Sequence, residues 1–291
     1  MTNNIYWDIK FKLPNTQWTL TGFSKAAYRT CFYIPELNIM FDAGNQNPCS
    51  PDHIFITHTH ADHIASLPLT MLNIVNNDHH FHIYAPLKSE YYILEYIKSL
   101  FHLNSLSYFN KKTCVDKLYT FNGFDEPGNI ILNIKNMKFE INIFKCIHTI
   151  PTISYGFSLK KNKLKDEFLG MTNLEIRNLK MSKVEITNEI TEKKFAYICD
   201  TKINILEIHP EILDFPIIII ECTFLYDDDL EVSKEKKHIH WQELKPYILE
   251  NHDKLFILIH FSQRYKDEDI LKFFSEEQSR NENLKNIKPW I

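Results

Sequence analysis

"FITHTHADHI", Phe55 to Ile64, places His58, His60, Asp62 and His63 within six positions, directly behind a run that reads as a buried strand. In an extended backbone His58 and His60 point the same way, while Asp62 and His63 fall where the strand gives way to a turn and a helix. Four nitrogen and oxygen ligands then converge from one loop. A single histidine is ordinarily structural, but three with an aspartate in one hexad are hard to place as core packing. Imidazole and carboxylate suit zinc and also accommodate manganese or iron, so ligand type leaves the metal open, with zinc as the expected ion.

More ligand types stand at the ends of distant strands. His148 ends "INIFKCIH", Asp200 ends "KFAYICD" and His260 lies at the end of "LFILIH", each after an apolar run. A layered α/β architecture gathers its strand ends at one rim.

The surrounding pattern fits such layers. "WTLTGF" (18–23), "TCFYI" (30–34), "NIMFD" (38–42) and "HIFIT" (53–57) read as a strand meander. Helical periodicity follows over 64–76 and 87–100, with "FHIYAP" (81–86) between them. A second meander is expected from "KLYTF" (117–121), "KFEINIFKCIHT" (138–149) and "SYGFSL". "KFAYICD", "IIIIECTF" and "LFILIHF" then alternate with helices near 241–250 and 267–277. The expected fold is an αββα sandwich, two mixed sheets face to face with helices outside, in one domain over 1–291. Residues 160–194 carry nine Lys and Arg against six Asp and Glu and read as a basic surface insertion with one helix around "TNLEIRNLKM".

Composition narrows the function classes. With 291 residues, 44% hydrophobic, the chain can bury a sizeable core. The formal charge of -4 means that an anionic partner must be held by a local basic patch or by metal. The longest apolar runs, such as "FPIIII", are too short to cross a bilayer, so no membrane partner and a soluble, cytoplasmic place are expected. Six cysteines at 31, 49, 114, 146, 199 and 222 form no CxxC pair and read as reduced and mostly buried.

H-x-H-x-D-H followed by a His, an Asp and a His at later strand ends resembles the metallo-β-lactamase fold superfamily. The resemblance implies that His58, His60 and His148 hold one metal, Asp62, His63 and His260 a second, and that Asp200 bridges them. It makes Asp42 the residue that orients the ligand loop. Two Zn2+, with Mn2+ or Fe as alternatives, would supply a hydroxide for hydrolysis.

Within that superfamily the chain resembles the ribonuclease Z family, in its short plant-like form. "HFSQRY" (260–265), "CIHTIPTISYGF", "KLKDEFLGMTNLEIRNLKMSKVEIT" before "CDT", and "IIIIECTF" followed by "HIHWQEL" carry that likeness. It implies an endonuclease that removes the 3′ trailer from precursor tRNA and leaves a 3′-hydroxyl, usually as a homodimer. It further implies that Glu221 pairs with a histidine of the last stretch to protonate the leaving oxygen. His240, directly before the expected helix, is the chosen partner and His238 its near-equivalent rival. Asp62 completes the expected catalytic set.

Lys160, Lys161, Lys163, Lys165, Lys180 and Lys183 are candidates to neutralise RNA phosphates, although acidic neighbours also suit a plain solvated surface. The "DHHFH" cluster, Asp78 to His82, reads as a solvated loop entering a strand, because nothing else completes a ligand set there. Cys199 stands where the family usually has glycine, and no long glycine- and proline-rich arm is present. A small-molecule hydrolase of the same fold and a non-catalytic RNA-binding relative are the rival readings.

Overall fold

The structure is a computed structural model that describes residues 7–46, 50–72, 79–106 and 118–291. Among these, one sheet takes β1 (Lys10–Lys12), β2 (Thr19–Lys25), β3 (Arg29–Ile34), β4 (Ile39–Phe41), β5 (His53–Phe55), β6 (Phe81–Pro86) and β7 (Tyr119–Phe124) in chain order. The other takes β8 (Gly128–Ile134), β9 (Met137–Lys145), β10 (Ile153–Leu164), β11 (Thr187–Ile198), β12 (Ile217–Glu221), β13 (Leu255–Ile259) and β14 (Ile287–Pro289), again in chain order.

Each sheet opens with three antiparallel pairings and closes with three parallel ones. The expected first meander therefore holds through β4 and the second only for β9 and β10, while "KLYTF" closes the first sheet as β7, parallel to β6. Parallel neighbours need a crossover. In the first sheet α1 (Ala61–Ile64) and α2 (Leu67–Leu72) cross from β5 to β6, and α3 (Glu90–Ser105) from β6 to β7. In the second, α4 (Asn173–Met181) caps the β10–β11 hairpin and α5 (Ile205–Ile208) leads into β12. There α6 (Leu230–Lys236) and α7 (Trp241–Glu250) join β12 to β13, and α8 (Asp267–Arg280) reaches β14.

Strand phase explains the layers. In β12 and β13, Ile217, Ile219, Ile257 and Ile259 face the core between the sheets, while Ile218, Ile220, Phe256 and Leu258 pack under the helices. A strand buried on both faces reads as a continuous apolar run, which is why "IIII" shows no alternation. The inter-sheet core is aromatic: Phe41 meets Tyr197 at 4.7 Å between centroids and Phe157 stacks on Phe195 at 4.8 Å. Ile54, Ile56, Met40 and Cys31 of the first sheet cover α1 to α3 through Ile64, Leu67, Met71, Ile93 and Ile97. Cys31, Cys146, Cys199 and Cys222 are free thiols, three of them buried; Cys49 and Cys114 lie outside the described residues.

The basic insertion is the outer part of a strand hairpin with a helical tip. β10 and β11 pair continuously out to Leu164 and Thr187, with a register shift at Phe157/Ser158, and carry α4 at the tip on a Thr172–Glu175 capping box. Lysine-rich strands exposed on both faces give no apolar alternation, so the extension is invisible to periodicity.

Gly44 fixes the approach of the hexad loop to the first sheet. A Cβ there would lie 1.7 Å from the Asp62 carbonyl oxygen and 2.8 Å from the Thr30 nitrogen, both backbone atoms that cannot swing away. Gly44→Ala is expected to cost about 2 kcal/mol or more of unfolding free energy in a urea titration, as an overpacked core position does. Gly128→Ala, which meets nothing within 4 Å, should shift it by less than about 0.5 kcal/mol.

Candidate metal centre

The hexad leaves β5 in extended form and turns into α1, so His58 and His63 become fully buried while His60 keeps partial access to solvent. His148 follows β9, Asp200 follows β11 and His260 follows β13, which brings all three to the same rim. Asp42, Asp200 and His260 each take left-handed backbone, with φ of 55°, 41° and 64°, as the chain turns sharply out of its strand.

Two groups of donor atoms result. In the first, His60 Nδ1 lies 3.0 Å from His58 Nε2 and 3.3 Å from His148 Nε2. Asp200 Oδ2 joins them at 3.4 Å from His58 and 3.6 Å from His148. In the second, His63 Nε2 and His260 Nε2 are 3.3 Å apart, and Asp200 Oδ1 lies 3.5 Å and 3.2 Å from them. Asp62 Oδ2 stands 3.5 Å from both of these histidines. Tetrahedral zinc with ligands near 2.1 Å requires neighbouring donors about 3.4 Å apart. Both groups meet that spacing, and the two oxygens of Asp200 serve one group each.

The outer nitrogens are all engaged, which sets the tautomers. His63 Nδ1 donates to Asp42 Oδ2 at 3.0 Å and His148 Nδ1 to the Lys237 carbonyl at 3.3 Å. The Thr57 hydroxyl gives its proton to Asp42 and the Thr223 hydroxyl gives its own to Glu221, so each accepts from a ring, His58 Nδ1 at 3.0 Å and His260 Nδ1 at 3.1 Å. Thr149 Oγ1 meets His60 Nε2 at 3.4 Å. Lone pairs are thereby left facing inward, the arrangement metal-binding imidazoles require.

Charge agrees with this. Burial holds the pKa of His58, His60 and His148 below the ordinary histidine value, keeping them neutral. Burial opposes ionisation of Asp62, but hydrogen bonds from His260 and His63 hold its carboxyl far below the usual range. Asp200 is likewise held down, against burial, by His260, His63 and His58. His63 is pulled up, against burial, by Asp200 and Asp42, so a proton and a cation compete for its inner nitrogen.

Beside these groups Glu221, fully buried, accepts from the Thr201 backbone at 2.6 Å and from Ile239 N at 3.1 Å. Its carboxylate is bonded by His238 Nδ1 at 3.1 and 3.2 Å, and the His238 ring sits 5.1 Å from that of His148 and 5.4 Å from that of His260. Burial opposes protonation of His238, yet the adjoining carboxylate raises its pKa to about 9.

His240 does not reach Glu221, contrary to expectation. It is the N-cap of α7: its Nδ1 accepts from Gln242 N at 3.1 Å and its Nε2 donates to the Tyr226 carbonyl at 2.9 Å. Both ring nitrogens serve the backbone, and the side chain is buried.

The "DHHFH" histidines do not converge either. His79 donates to the Pro51 carbonyl, His80 meets Thr120 Oγ1, and His82 stacks on His53; Asp78 lies outside the described residues. Sequence reasoning missed Cys199 as a site neighbour: its thiol donates to Asp200 Oδ1 at 3.1 Å, and its sulfur falls within 4.8 Å of donor atoms of His63 and His260. It also missed the Ala27 N–H, which donates to Asp62 Oδ2 at 2.8 Å.

The chain is 31% identical over 257 residues to tRNase Z TRZ1 of Arabidopsis thaliana, covering 86% of this chain and 88% of that protein. The chain belongs to the ribonuclease Z family. To another ribonuclease Z, from Nanoarchaeum equitans, it is 29% identical over 288 residues, covering 87% of this chain and 81% of the other. The crystal structure of the metallo-β-lactamase fold protein YhfI from Bacillus subtilis superposes with a TM-score of 0.53 at 14% identity, over 92% of this chain and 93% of that one. At that identity the likeness speaks for the fold alone, and it agrees with the αββα layers of this ribonuclease Z family member. No protein-family model matches the chain.

Two substitutions separate the roles of neighbouring residues. Asp42→Asn removes the carboxylate that fixes His63 and should weaken divalent-metal binding by roughly 10–100-fold in a chelator competition. His240→Ala removes a helix cap and should lower unfolding stability by about 1 kcal/mol while the capacity to bind a divalent metal is unchanged.

Proposed function

We propose that this chain is a metal-dependent endoribonuclease that removes the 3′ trailer of precursor tRNA and leaves a 3′-hydroxyl. The observation that carries the reading is the pairing of buried Glu221 with half-buried His238 beside two donor groups that share Asp200, in a chain of the ribonuclease Z family. His58, His60, His148 and Asp200 Oδ2 would hold one divalent cation, and Asp62, His63, His260 and Asp200 Oδ1 a second, zinc by ligand type. Bound there, the cations supply Lewis acidity that acidifies water and offsets charge building on a phosphoryl group.

The chain's own part is proton delivery and grip. Glu221 engages His238 Nδ1 and leaves Nε2 without a protein partner among the described residues, free to give its proton to the departing ribose O3′. That oxygen leaves poorly unless protonated. Lys160 lies 3.0 Å from both Glu140 of β9 and Glu189 of β11, and Lys161 pairs with Glu192 at 2.6 Å, so these two are spent on neighbouring strands. The phosphate contacts fall to Lys163, Lys165, Lys180 and Lys183. An apolar stripe on α3, Tyr92, Tyr96 and Leu103, with Leu69 of α2 beside it, is the surface that supports a homodimer. Among the described residues no helix is long and apolar enough to cross a membrane, and the unpaired thiols suit a reducing compartment such as the cytoplasm.

The direct assay is cleavage of a labelled precursor tRNA with and without chelator. Asp62→Ala should abolish the cut, and His238→Ala should slow it by roughly 10²–10⁴-fold with metal retained, the usual loss for a general acid. Metal-dependent turnover of small phosphodiesters with no cut near the trailer junction would rule out tRNA as substrate. Lys180→Ala with Lys183→Ala should weaken RNA binding and reduce the salt slope by about one for each phosphate no longer neutralised.

A further inference from the structure

We propose that Lys237 is a positioning residue that ties the His148 loop to the loop carrying His238 and so holds the proton donor against the metal centre. The inference rests on the proposed RNA cleavage and goes beyond it in naming what aims the donor.

The backbone singles Lys237 out. α6 ends at Lys236, and Lys237 follows in left-handed conformation, φ 58° and ψ 48°, with its N–H bonded to the Ser233 carbonyl. Glycine is the usual occupant of such a helix end, because a Cβ crowds the carbonyl there. Left-handed non-glycine residues elsewhere around the centre are Ala27, Asp42, Asp200 and His260, and each touches or supplies a donor group. Leu106 closes α3 in the same left-handed way, so at Lys237 the side chain must supply the case for a function.

The side chain supplies one. Lys237 Nζ donates to the His148 carbonyl at 2.9 Å, and the Lys237 carbonyl accepts from His148 Nδ1 at 3.3 Å, a two-way pairing of residues 89 positions apart. The next residue is His238, whose N–H bonds to the Ser233 carbonyl at 2.9 Å. Glu221 holds the His238 ring through Nδ1, and the Lys237 tie joins the loop of His238 to that of His148. Glycine at 237 would make the same turn with less strain and keep the carbonyl contact. The ammonium therefore serves the tie and is not needed for the turn.

Proton transfer demands hydrogen-bond reach, so a small displacement of His238 slows departure of a poor leaving group and spares a good one. The test uses zinc-loaded wild-type protein, Lys237→Met, Lys237→Gly, His238→Ala and the Lys237→Met/His238→Ala double variant. Each is assayed on precursor tRNA and on bis(p-nitrophenyl) phosphate, whose leaving group departs without a proton. We expect both Lys237 variants to keep wild-type zinc content and to lose about tenfold or more in kcat on tRNA, with KM changed less than about twofold. The ratio of RNA to nitrophenyl rates should fall by a similar factor, and Lys237→Met should cost nothing further once His238 is alanine.

Equal losses on both substrates, or full additivity with His238→Ala, would overturn the inference in favour of a general structural role. A raised KM at unchanged kcat would overturn it in favour of direct substrate contact. Lys237→Gly relaxes the left-handed turn, so a failure of Lys237→Met to fold still leaves a readable variant. Wild-type protein that hydrolyses the nitrophenyl diester but not RNA would sink the proposed substrate as well, a result distinct from the others.

Discussion

The carboxylate of Asp42 is the point on which the site depends. It is fully buried, and burying a charge is costly unless every lone pair is met. Here the partners are Thr57 N at 2.8 Å and Thr57 Oγ1 at 2.9 Å from the hexad strand, His63 Nδ1 at 3.0 Å from the hexad helix, and Tyr197 OH at 3.0 Å from β11. One side chain thus orients a candidate ligand, pins the loop that carries three more, and links the two sheets. This knot, with Thr57 and Thr223, occupies the outer nitrogens of His63, His58 and His260, and the Lys237 carbonyl and Thr149 take those of His148 and His60.

The two sheets repeat one plan, antiparallel then parallel, and the parallel halves aim their strand ends at the same rim. Each supplies what the other lacks. The first sheet provides the hexad and Asp42, and the second provides His148, Asp200, His260 and Glu221. The cluster exists only where the layers meet.

Much of this was legible in the sequence. His58, His60, Asp62, His63, His148, Asp200 and His260 stood out because ligand types at the ends of apolar runs have few other reasons to be there, and the fold brings all seven together. The choice between His238 and His240 was not legible: residues two apart in an extended segment point the same way, and a histidine before a helix is also a natural cap. Only the third dimension shows that the cap consumes His240. Mixed sheets were expected, but which neighbours pair in parallel was not legible, because that is set by crossovers far apart in the chain. The hairpin of β10 and β11 was missed because strands solvated on both faces carry no periodic signal. Lys237 had no signal at all, since left-handed backbone at a lysine cannot be read from residue type.

The β10–β11 hairpin has a consequence of another kind. β11 runs from Thr187, where the hairpin tip begins, past one irregularity at Lys194 to Ile198, two residues before the shared carboxylate of Asp200. Eleven steps of extended chain span about 36 Å. The tip that carries the unpaired lysines and the residue that both donor groups share are therefore the two ends of a single strand, which acts as a ruler. On the proposed reading, the length of that strand, more than the chemistry at its tip, would set how far a substrate must extend to be gripped and cut at once.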